Sequence, residues 1–311
     1  MTALANFLMD VPITFTYIYF QGDSPMLDLK RKMIDYCMEE LKKAYRRTFT
    51  DMEPELEKIM TSSGHLAFES IANSDALYHD VEHTLMVTLA GQTILEGKHL
   101  LEGGVTPRDW VHFMIALLFH DIGYLKGICR DDKNNMFATG VNRALVEIPL
   151  ETTDASLGPY HIDRAKLFVH ERFEKGMLWD MATIDADLIA SYIEMTRFPV
   201  PEDDAYKDTK GYAGLARAAD FIGQFGDPNR LKKCPALFYE LQELGLTEKL
   251  GYKTPQDLRT NNIKFYWDVV HPYVQHTLRY LQVTQEGKQW IANLYANVSG
   301  ADLRVKDITS H

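Results

Sequence analysis

A histidine and an aspartate stand side by side at the end of an apolar stretch of this chain. His120 and Asp121 directly follow the run Ala116-Leu117-Leu118-Phe119. A carboxylate at the end of a buried segment is costly unless an opposite charge or hydrogen bonds compensate it. Imidazole nitrogens and carboxylate oxygens are both ligands of divalent metal ions. The dipeptide therefore predicts a metal site, provided that other parts of the chain supply further ligands.

Two other segments carry residues of the same kind. Upstream, His79 and His83 lie in the run Tyr-His-Asp-Val-Glu-His, a spacing that puts both imidazoles on one face of a helix. Downstream, Asp220 lies in the apolar run Ala-Ala-Asp-Phe-Ile. Its carboxylate is either a metal ligand or the partner of Arg217, three positions earlier. The chain thus offers the order His, His-Asp, Asp in three apolar helical contexts.

This ordered set resembles the HD superfamily of metal-dependent phosphohydrolases, over residues 65–225. The resemblance implies an all-α HD-domain helical bundle that holds a divalent metal ion: Mg, Mn, Fe, Co, Ni or Zn. The implied metal ligands are His83, His120, Asp121 and Asp220. The Tyr-His-x-x-x-His run is also similar to the opening motif of cyclic-nucleotide phosphodiesterases, in which asparagine stands at the position of Asp80.

The resemblance also implies a hydrolytic mechanism. His83 is the metal ligand of the upstream pair, and His79 is the general acid that protonates the leaving oxygen. A metal-activated water attacks phosphorus, and Asp121 or Asp220 accepts the proton of that water. The predicted substrate is a small phosphate ester, such as a nucleotide or a related metabolite. The predicted enzyme is therefore a phosphomonoesterase or a phosphodiesterase.

His161 and Lys126 are candidates for a second metal position or for phosphate contacts. His161 begins a predicted helix at the place where binuclear relatives carry an additional histidine, and Lys126 follows Asp121 closely. Alternatively, His161 is a helix-cap or surface residue and Lys126 a solvated charge. A further histidine is expected within residues 190–196, where only Glu194 could substitute. The missing histidine favours a mononuclear site or one completed by water.

Two other functions fit parts of the same pattern. Some relatives use a di-iron centre for oxidative cleavage, but that chemistry requires the additional histidines. A helical module that binds a nucleotide as a sensor is the non-enzymatic alternative, although such a member is expected to have lost a ligand. Tightly held iron would favour the first alternative, and a bound nucleotide without turnover would favour the second.

The composition narrows the class of partner. The chain has 311 residues, of which 46% are hydrophobic and 25% charged, as in globular proteins. Its net charge of -11 disfavours a nucleic acid polymer, because binders of such polymers usually carry a basic surface. Cys37, Cys129 and Cys234 show no paired or zinc-type spacing, so we expect a reducing, cytoplasmic location.

Neither a membrane anchor nor a signal peptide is predicted. No uninterrupted apolar stretch is long enough to span a bilayer, and no basic residue precedes the apolar part of residues 1–22. Within that segment, residues 14–20 favour a short strand or an extended arm that packs on a neighbour. The sequence is compatible with a homo-oligomer.

Helical periodicity dominates the elements that must position the candidate ligands. The helix before His120 is predicted to begin at Thr106-Pro107, with threonine as its cap, and to be central because it is apolar on nearly every side.

We expect a single all-α domain in three regions: an N-terminal extension with helices (1–64), a metal-binding core (65–225) and C-terminal helices packed on that core (226–311). Within the core, residues 126–160 are polar and aperiodic. They are predicted to form a lid or a specificity insertion, with a disordered surface loop as the alternative.

Overall fold

A computed structural model describes residues 25–173 and 184–309 of the protein. Helix accounts for 68% of the structure and strand for 3%, which confirms the predicted all-α class. The strand or arm predicted for residues 14–20 lies outside the described part of the chain. The α-helices are α1 (Pro25–Phe49), α2 (Pro54–Ile71), α3 (Val81–Glu102), α4 (Pro107–Phe119), α5 (His161–Phe173), α6 (Ala186–Glu194), α7 (Tyr212–Phe225), α8 (Cys234–Glu243), α9 (Leu246–Leu250), α10 (Pro255–Phe265), α11 (His271–Val274), α12 (Leu278–Leu281) and α13 (Gln285–Thr309).

The central helix is α4, as its apolar sequence predicts. Its start is a capping box: the Asp109 backbone N–H donates to Thr106 Oγ1 at 3.1 Å, and the Thr106 backbone N–H donates to Asp109 Oδ2 at 3.0 Å. From Trp110 to Phe119 every side chain is buried. The helix packs against α2, α3, α6 and α7. Helix α4 ends at Phe119, and the His-Asp pair that follows is buried among these helices.

Helices α3 and α7 pack closely near the candidate ligands. A Cβ atom added at Gly223 would lie only 2.6 Å from the Cα atom of Val87. Only glycine therefore allows the two backbones to approach this closely. His83 lies one turn from Val87 on α3, and Asp220 lies one turn from Gly223 on α7. The contact between the two helices thus sets the separation of the two candidate ligands.

Residues 126–160, for which the sequence showed no regular period, contain a small antiparallel hairpin. Strand β1 (Met136–Ala138) pairs with strand β2 (Leu145–Glu147), and Phe137 lies opposite Val146. A 3₁₀ helix over Asp154–Tyr160 then leads directly into α5. The segment therefore contains regular secondary structure, whereas its role as a lid or a specificity insertion stays a prediction.

Arg164 of α5 holds this insertion against the core. Its side chain is fully buried, and its guanidinium donates to the backbone carbonyls of Gly123, Leu125 and Ala138. It also forms two hydrogen bonds to the carboxylate of Asp132, at 3.1 and 2.9 Å. These five contacts satisfy every donor of the guanidinium. Arg164 thereby fixes both the start of the segment that follows Asp121, at Gly123 and Leu125, and the strand that contains Ala138.

One apolar core joins the three predicted regions of the chain. The cluster of buried hydrophobic residues runs from Ile34 in α1 through α4 and α7 to Val298 in α13.

Among the described residues, no helix is both long and apolar enough to cross a membrane.

Candidate metal centre and the adjoining histidine–tyrosine wall

Three predicted ligands converge at the end of α4. His83 Nε2 and His120 Nε2 lie 3.1 and 3.0 Å from Asp121 Oδ2, and 3.4 Å from each other. All three side chains are buried, and one ligand atom from each lies within 4.8 Å of the others. Asp220 faces the same point from α7, with its Oδ1 atom 3.6 Å from His83 Nε2 and 3.9 Å from His120 Nε2.

Local structure explains how His83 reaches this position. Asp80 is the N-cap of α3, and its Oδ1 atom accepts a hydrogen bond from the His83 backbone N–H at 2.9 Å. Aspartate and asparagine are about equally good caps. Asp80 therefore starts the helix that carries His83.

The orientation of His120 leaves a nitrogen available for a metal. Its Nδ1 atom lies 2.7 Å from the carbonyl oxygen of Leu117. A carbonyl oxygen only accepts, so Nδ1 carries a proton, and Nε2, which faces Asp121 Oδ2, is the nitrogen that a metal ion would bind. Metal-binding histidines usually have their second ring nitrogen anchored in this manner.

Asp121 provides the observation that best fits a bound cation. Its Oδ2 atom is buried and makes no hydrogen bond within the described residues, although it lies between the two Nε2 atoms. Buried carboxylate oxygens without a partner are rare and need an explanation. The set of two imidazole nitrogens and carboxylate oxygens from Asp121 and Asp220 suits a divalent metal ion. The residues present therefore fit the predicted metal.

Asp220 does not pair with Arg217, the alternative that the sequence offered. The Arg217 guanidinium instead donates to the backbone carbonyls of Tyr206 and Asp208, at 2.9 and 2.7 Å, and lies over the ring of Tyr273. The Asp220 carboxylate remains directed at the histidines, and it is more exposed than the other three predicted ligands. It is therefore the ligand with the best access to an incoming substrate.

His79 is held by Glu240, a residue that the sequence interpretation missed. The Nδ1 atom of His79 lies 2.6 Å from Glu240 Oε2, and Glu240 Oε1 accepts the backbone N–H groups of Tyr78 and His79. Burial opposes a charge on His79, but the carboxylates of Glu240 and Asp121 outweigh it and raise the pKa of His79 to about 9. Nothing local in α8 marks Glu240, because its partner lies 161 positions away.

Tyr124 connects His79 to His161 through ring stacking. Its ring lies 4.3 Å from the His79 ring with an interplanar angle of 18°, and 4.4 Å from the His161 ring with an angle of 20°. Its hydroxyl lies 3.5 Å from His79 Nε2. Sequence reasoning missed this residue too, although its place directly after Ile122-Gly123 in the His-Asp segment was a signal. The three stacked rings are called the histidine–tyrosine wall below.

His161 lies at the edge of the centre. Its Nε2 atom is 3.9 Å from Asp121 Oδ1, the oxygen directed away from the other histidines, and its Nδ1 atom donates to the carbonyl oxygen of Gly158. Burial lowers the pKa of His161 to about 4. The imidazole is therefore neutral and presents a lone pair towards Asp121, as a second metal position or a water contact would need.

The side chains of Lys126 and Glu194 contact residues outside the candidate centre. The Lys126 ammonium donates to the backbone carbonyl and hydroxyl oxygens of Thr152, within the insertion. Glu194 is bound by Lys166, Arg197 and Tyr206 instead of standing beside His161. The suggested replacement of a histidine by Glu194 is therefore not what the structure shows.

The comparisons with known proteins identify the family of the chain. The model of the Npun_R2479-like family matches residues 27–303, so the protein belongs to this family. No curated protein matches the chain. The matched segment includes all the residues of the metal centre and of the histidine–tyrosine wall, together with Glu240.

Proposed function

We propose that this protein is a metal-dependent phosphohydrolase that acts on a small phosphate ester, such as a nucleotide or a related metabolite. The observation that carries the proposal is the buried Oδ2 atom of Asp121, which lies between two imidazole nitrogens without a hydrogen bond. Two imidazole nitrogens and two carboxylates that face one point suit a divalent cation. The resemblance to the HD superfamily supports the choice of phosphate ester hydrolysis.

His83, His120, Asp121 and Asp220 would hold the divalent ion. Bound there, such an ion lowers the pKa of water and neutralises the charge of phosphoryl oxygens. Asp220 has the more exposed carboxylate and would accept the proton of the attacking water, with Asp121 as the alternative acceptor. His161 would contact a second ion or the phosphate group.

His79 would act as the general acid. The carboxylate of Glu240 accepts the Nδ1 proton of His79, so the imidazole keeps a fixed orientation, with its Nε2 atom 3.5 Å from the Tyr124 hydroxyl. A charged imidazole can then protonate the leaving oxygen at Nε2. Glu240 supports this role by stabilising the imidazolium, in the manner of a carboxylate that orients a catalytic histidine.

A cytoplasmic location and the lack of a nucleic acid partner belong to the same proposal. Cys37, Cys129 and Cys234 are all free and buried, as expected in a reducing compartment. The substrate would accordingly be a small intracellular phosphate ester.

The decisive experiment combines metal analysis with a hydrolysis screen. The purified protein is loaded in turn with Mg²⁺, Mn²⁺, Fe²⁺, Co²⁺, Ni²⁺ and Zn²⁺, its metal content is measured, and phosphomonoesters, cyclic nucleotides and nucleoside triphosphates are tested. Asp121→Ala should lose metal and activity together. Asp187→Ala, which removes a carboxylate that is 95% exposed on α6, is the matched control and should keep both. Full metal content and turnover in Asp121→Ala would contradict the site assignment.

A further inference from the structure

Tyr124 has a buried ring and a hydroxyl without a strong hydrogen bond. Both faces of the ring are covered by imidazoles, and its relative exposure is 7%. Within the described structure, the hydroxyl approaches His79 Nε2 at 3.5 Å. Hydrogen bonds of hydroxyl groups are usually 2.5–3.0 Å long, so this contact is weak. A buried hydroxyl without a good partner is unfavourable, which indicates that it binds something else.

The Tyr124 hydroxyl is a hydrogen-bond donor in a fixed position. Burial raises the pKa of Tyr124, and the carboxylates of Asp121, Glu240 and Asp220 act on it in the same direction. The phenol therefore keeps its proton and can donate a hydrogen bond. The position of the ring is fixed by stacking on His79 and His161, so the position of its hydroxyl oxygen is fixed as well.

The separation of Tyr124 and His79 fits one shared acceptor. The Tyr124 hydroxyl and His79 Nε2 are 3.5 Å apart. An oxygen about 2.8 Å from each atom closes a triangle with this side, and that distance is an ordinary hydrogen bond for both donors. Glu240 Oε2, 2.6 Å from His79 Nδ1, stabilises the doubly protonated imidazole, so that Nε2 is a donor as well. Two donors 3.5 Å apart, beside a cluster that suits a cation, select an anionic oxygen.

We propose that the Tyr124 hydroxyl and His79 Nε2 form a two-donor subsite that binds one oxygen atom of a phosphoryl group. This inference rests on the proposed function in that the oxygen is assigned to phosphate. Tyr124 therefore contacts the ligand directly. It also holds the imidazoles of His79 and His161 at a fixed spacing through its ring.

The test compares Tyr124→Phe and Tyr124→Leu with the wild type. Phenylalanine removes the hydroxyl and keeps the stacked ring, whereas leucine removes both. The binding of inorganic phosphate to each metal-loaded protein is measured by titration calorimetry, and the metal content and melting temperature are recorded. Tyr124→Phe should keep its metal and bind phosphate about 10- to 100-fold more weakly, the range expected for the loss of a hydrogen bond to a charged group. Tyr124→Leu should weaken phosphate binding further.

A control variant removes another buried hydroxyl. Tyr45→Phe deletes a hydroxyl that contacts the backbone carbonyls of Met52 and Glu53, in the connection between α1 and α2. It should bind phosphate as the wild type does, even if it melts at a lower temperature. Any loss of phosphate affinity that is confined to the Tyr124 variants then belongs to the subsite and not to the general stability of the bundle.

The outcomes separate this inference from the proposed function. If Tyr124→Phe binds phosphate as tightly as the wild type, or if the metal-loaded wild type binds no phosphate, the subsite is refuted. If phosphate affinity falls in Tyr124→Phe but the wild type hydrolyses no ester in the screen, the subsite stands and the hydrolase proposal fails. If the wild type hydrolyses an ester, kcat/KM of Tyr124→Phe should fall by about the same factor as the phosphate affinity.

Discussion

Glu240 Oε2 lies 2.6 Å from His79 Nδ1, although 161 positions separate the two residues in the chain. The same carboxylate accepts the backbone N–H of Tyr78 at 2.7 Å, just before the helix that carries His83 begins. The C-terminal helices, predicted to pack on the core region, thus also contribute a residue beside the candidate centre. Glu240 couples the position of α8 to the orientation of the proposed general acid.

Replacing Glu240 by glutamine should change the pH dependence of catalysis. The carboxylate stabilises the charged form of His79, whose pKa is raised to about 9. Glutamine removes that charge, so the pKa of His79 should fall towards its ordinary value near 6.5. The protonated acid is then lost at lower pH, and the basic limb of the profile of kcat/KM should move down by roughly 1–2 pH units.

The measurement is the pH profile of kcat/KM for the metal-loaded protein, using an ester that the hydrolysis screen identifies. Glu243→Gln, on the same helix, is the matched control, because Glu243 contacts the backbone N–H and hydroxyl of Thr153 rather than His79. An unchanged basic limb in Glu240→Gln would show that Glu240 does not act on the proposed acid.

The sequence revealed those site residues that stand out against their own neighbours. His120, Asp121 and Asp220 each interrupt an apolar helical pattern, and the structure brings them together with His83. Glu240 could not be found in this way, because α8 carries two glutamates, Glu240 and Glu243, and only tertiary packing selects one of them. The roles of the candidate site residues as metal ligands and catalytic groups stay predictions.

Long-range contacts also explain what the sequence missed in the fold. The hairpin within residues 126–160 is anchored by Arg164, which lies beyond that segment and joins it to Asp132 and Ala138. Lys126 was a candidate for a phosphate contact or a second metal position because it follows Asp121 closely in the sequence. Yet the chain turns through a 3₁₀ helix at Ile122–Tyr124, and the ammonium group contacts Thr152 instead.

Removal of the Arg164 guanidinium should strongly destabilise the protein. Arg164→Ala leaves the buried carboxylate of Asp132 without its cation and three backbone carbonyls without donors. The loss of one partner of a buried ion pair typically lowers the free energy of unfolding by about 3–5 kcal/mol. Urea unfolding of the variant and the wild type measures the difference.

An exposed arginine provides the comparison for Arg164. Arg46 pairs with Glu57 at 2.7 Å, but its side chain is 62% exposed. Arg46→Ala should therefore cost less than about 1 kcal/mol, the usual upper range for a surface ion pair. Equal losses in the two variants would mean that the buried contacts of Arg164 contribute no more than a solvated pair.

An alanine at Gly223 should disturb the metal centre from a distance. The added Cβ would lie 2.6 Å from the Cα atom of Val87, and backbone atoms cannot move aside as a flexible side chain can. Helices α3 and α7 must separate, and His83 and Asp220 separate with them. We expect a loss of about 1–3 kcal/mol in the free energy of unfolding, and a lower metal content at limiting metal concentration.

Gly64→Ala is the control for this substitution. Gly64 also lies in a buried helix, but the atoms nearest to an added Cβ belong to the end of the flexible Met38 side chain. This variant should keep the metal affinity of the wild type, whatever its effect on stability. If Gly223→Ala binds metal as tightly as Gly64→Ala, then the close approach of α3 and α7 does not control the centre.

Glu194 should stabilise the protein in a pH-dependent manner. Burial opposes its charge, but hydrogen bonds from Arg197, Lys166 and Tyr206 outweigh burial and lower the pKa of Glu194 to about 2. The ordinary pKa of glutamate is about 4.3. Because the pKa is lower in the folded state, the stabilisation is fully present above about pH 4.3 and is lost as the pH falls towards about 2. Urea unfolding at several pH values should therefore show Glu194→Gln less stable than the wild type by roughly 1–3 kcal/mol at pH 7. The difference should shrink steadily below about pH 4.3.

Glu55→Gln, which removes a 68% exposed partner of Lys58, should show a small difference at every pH. A constant gap between Glu194→Gln and the wild type across this range would contradict the lowered pKa of Glu194.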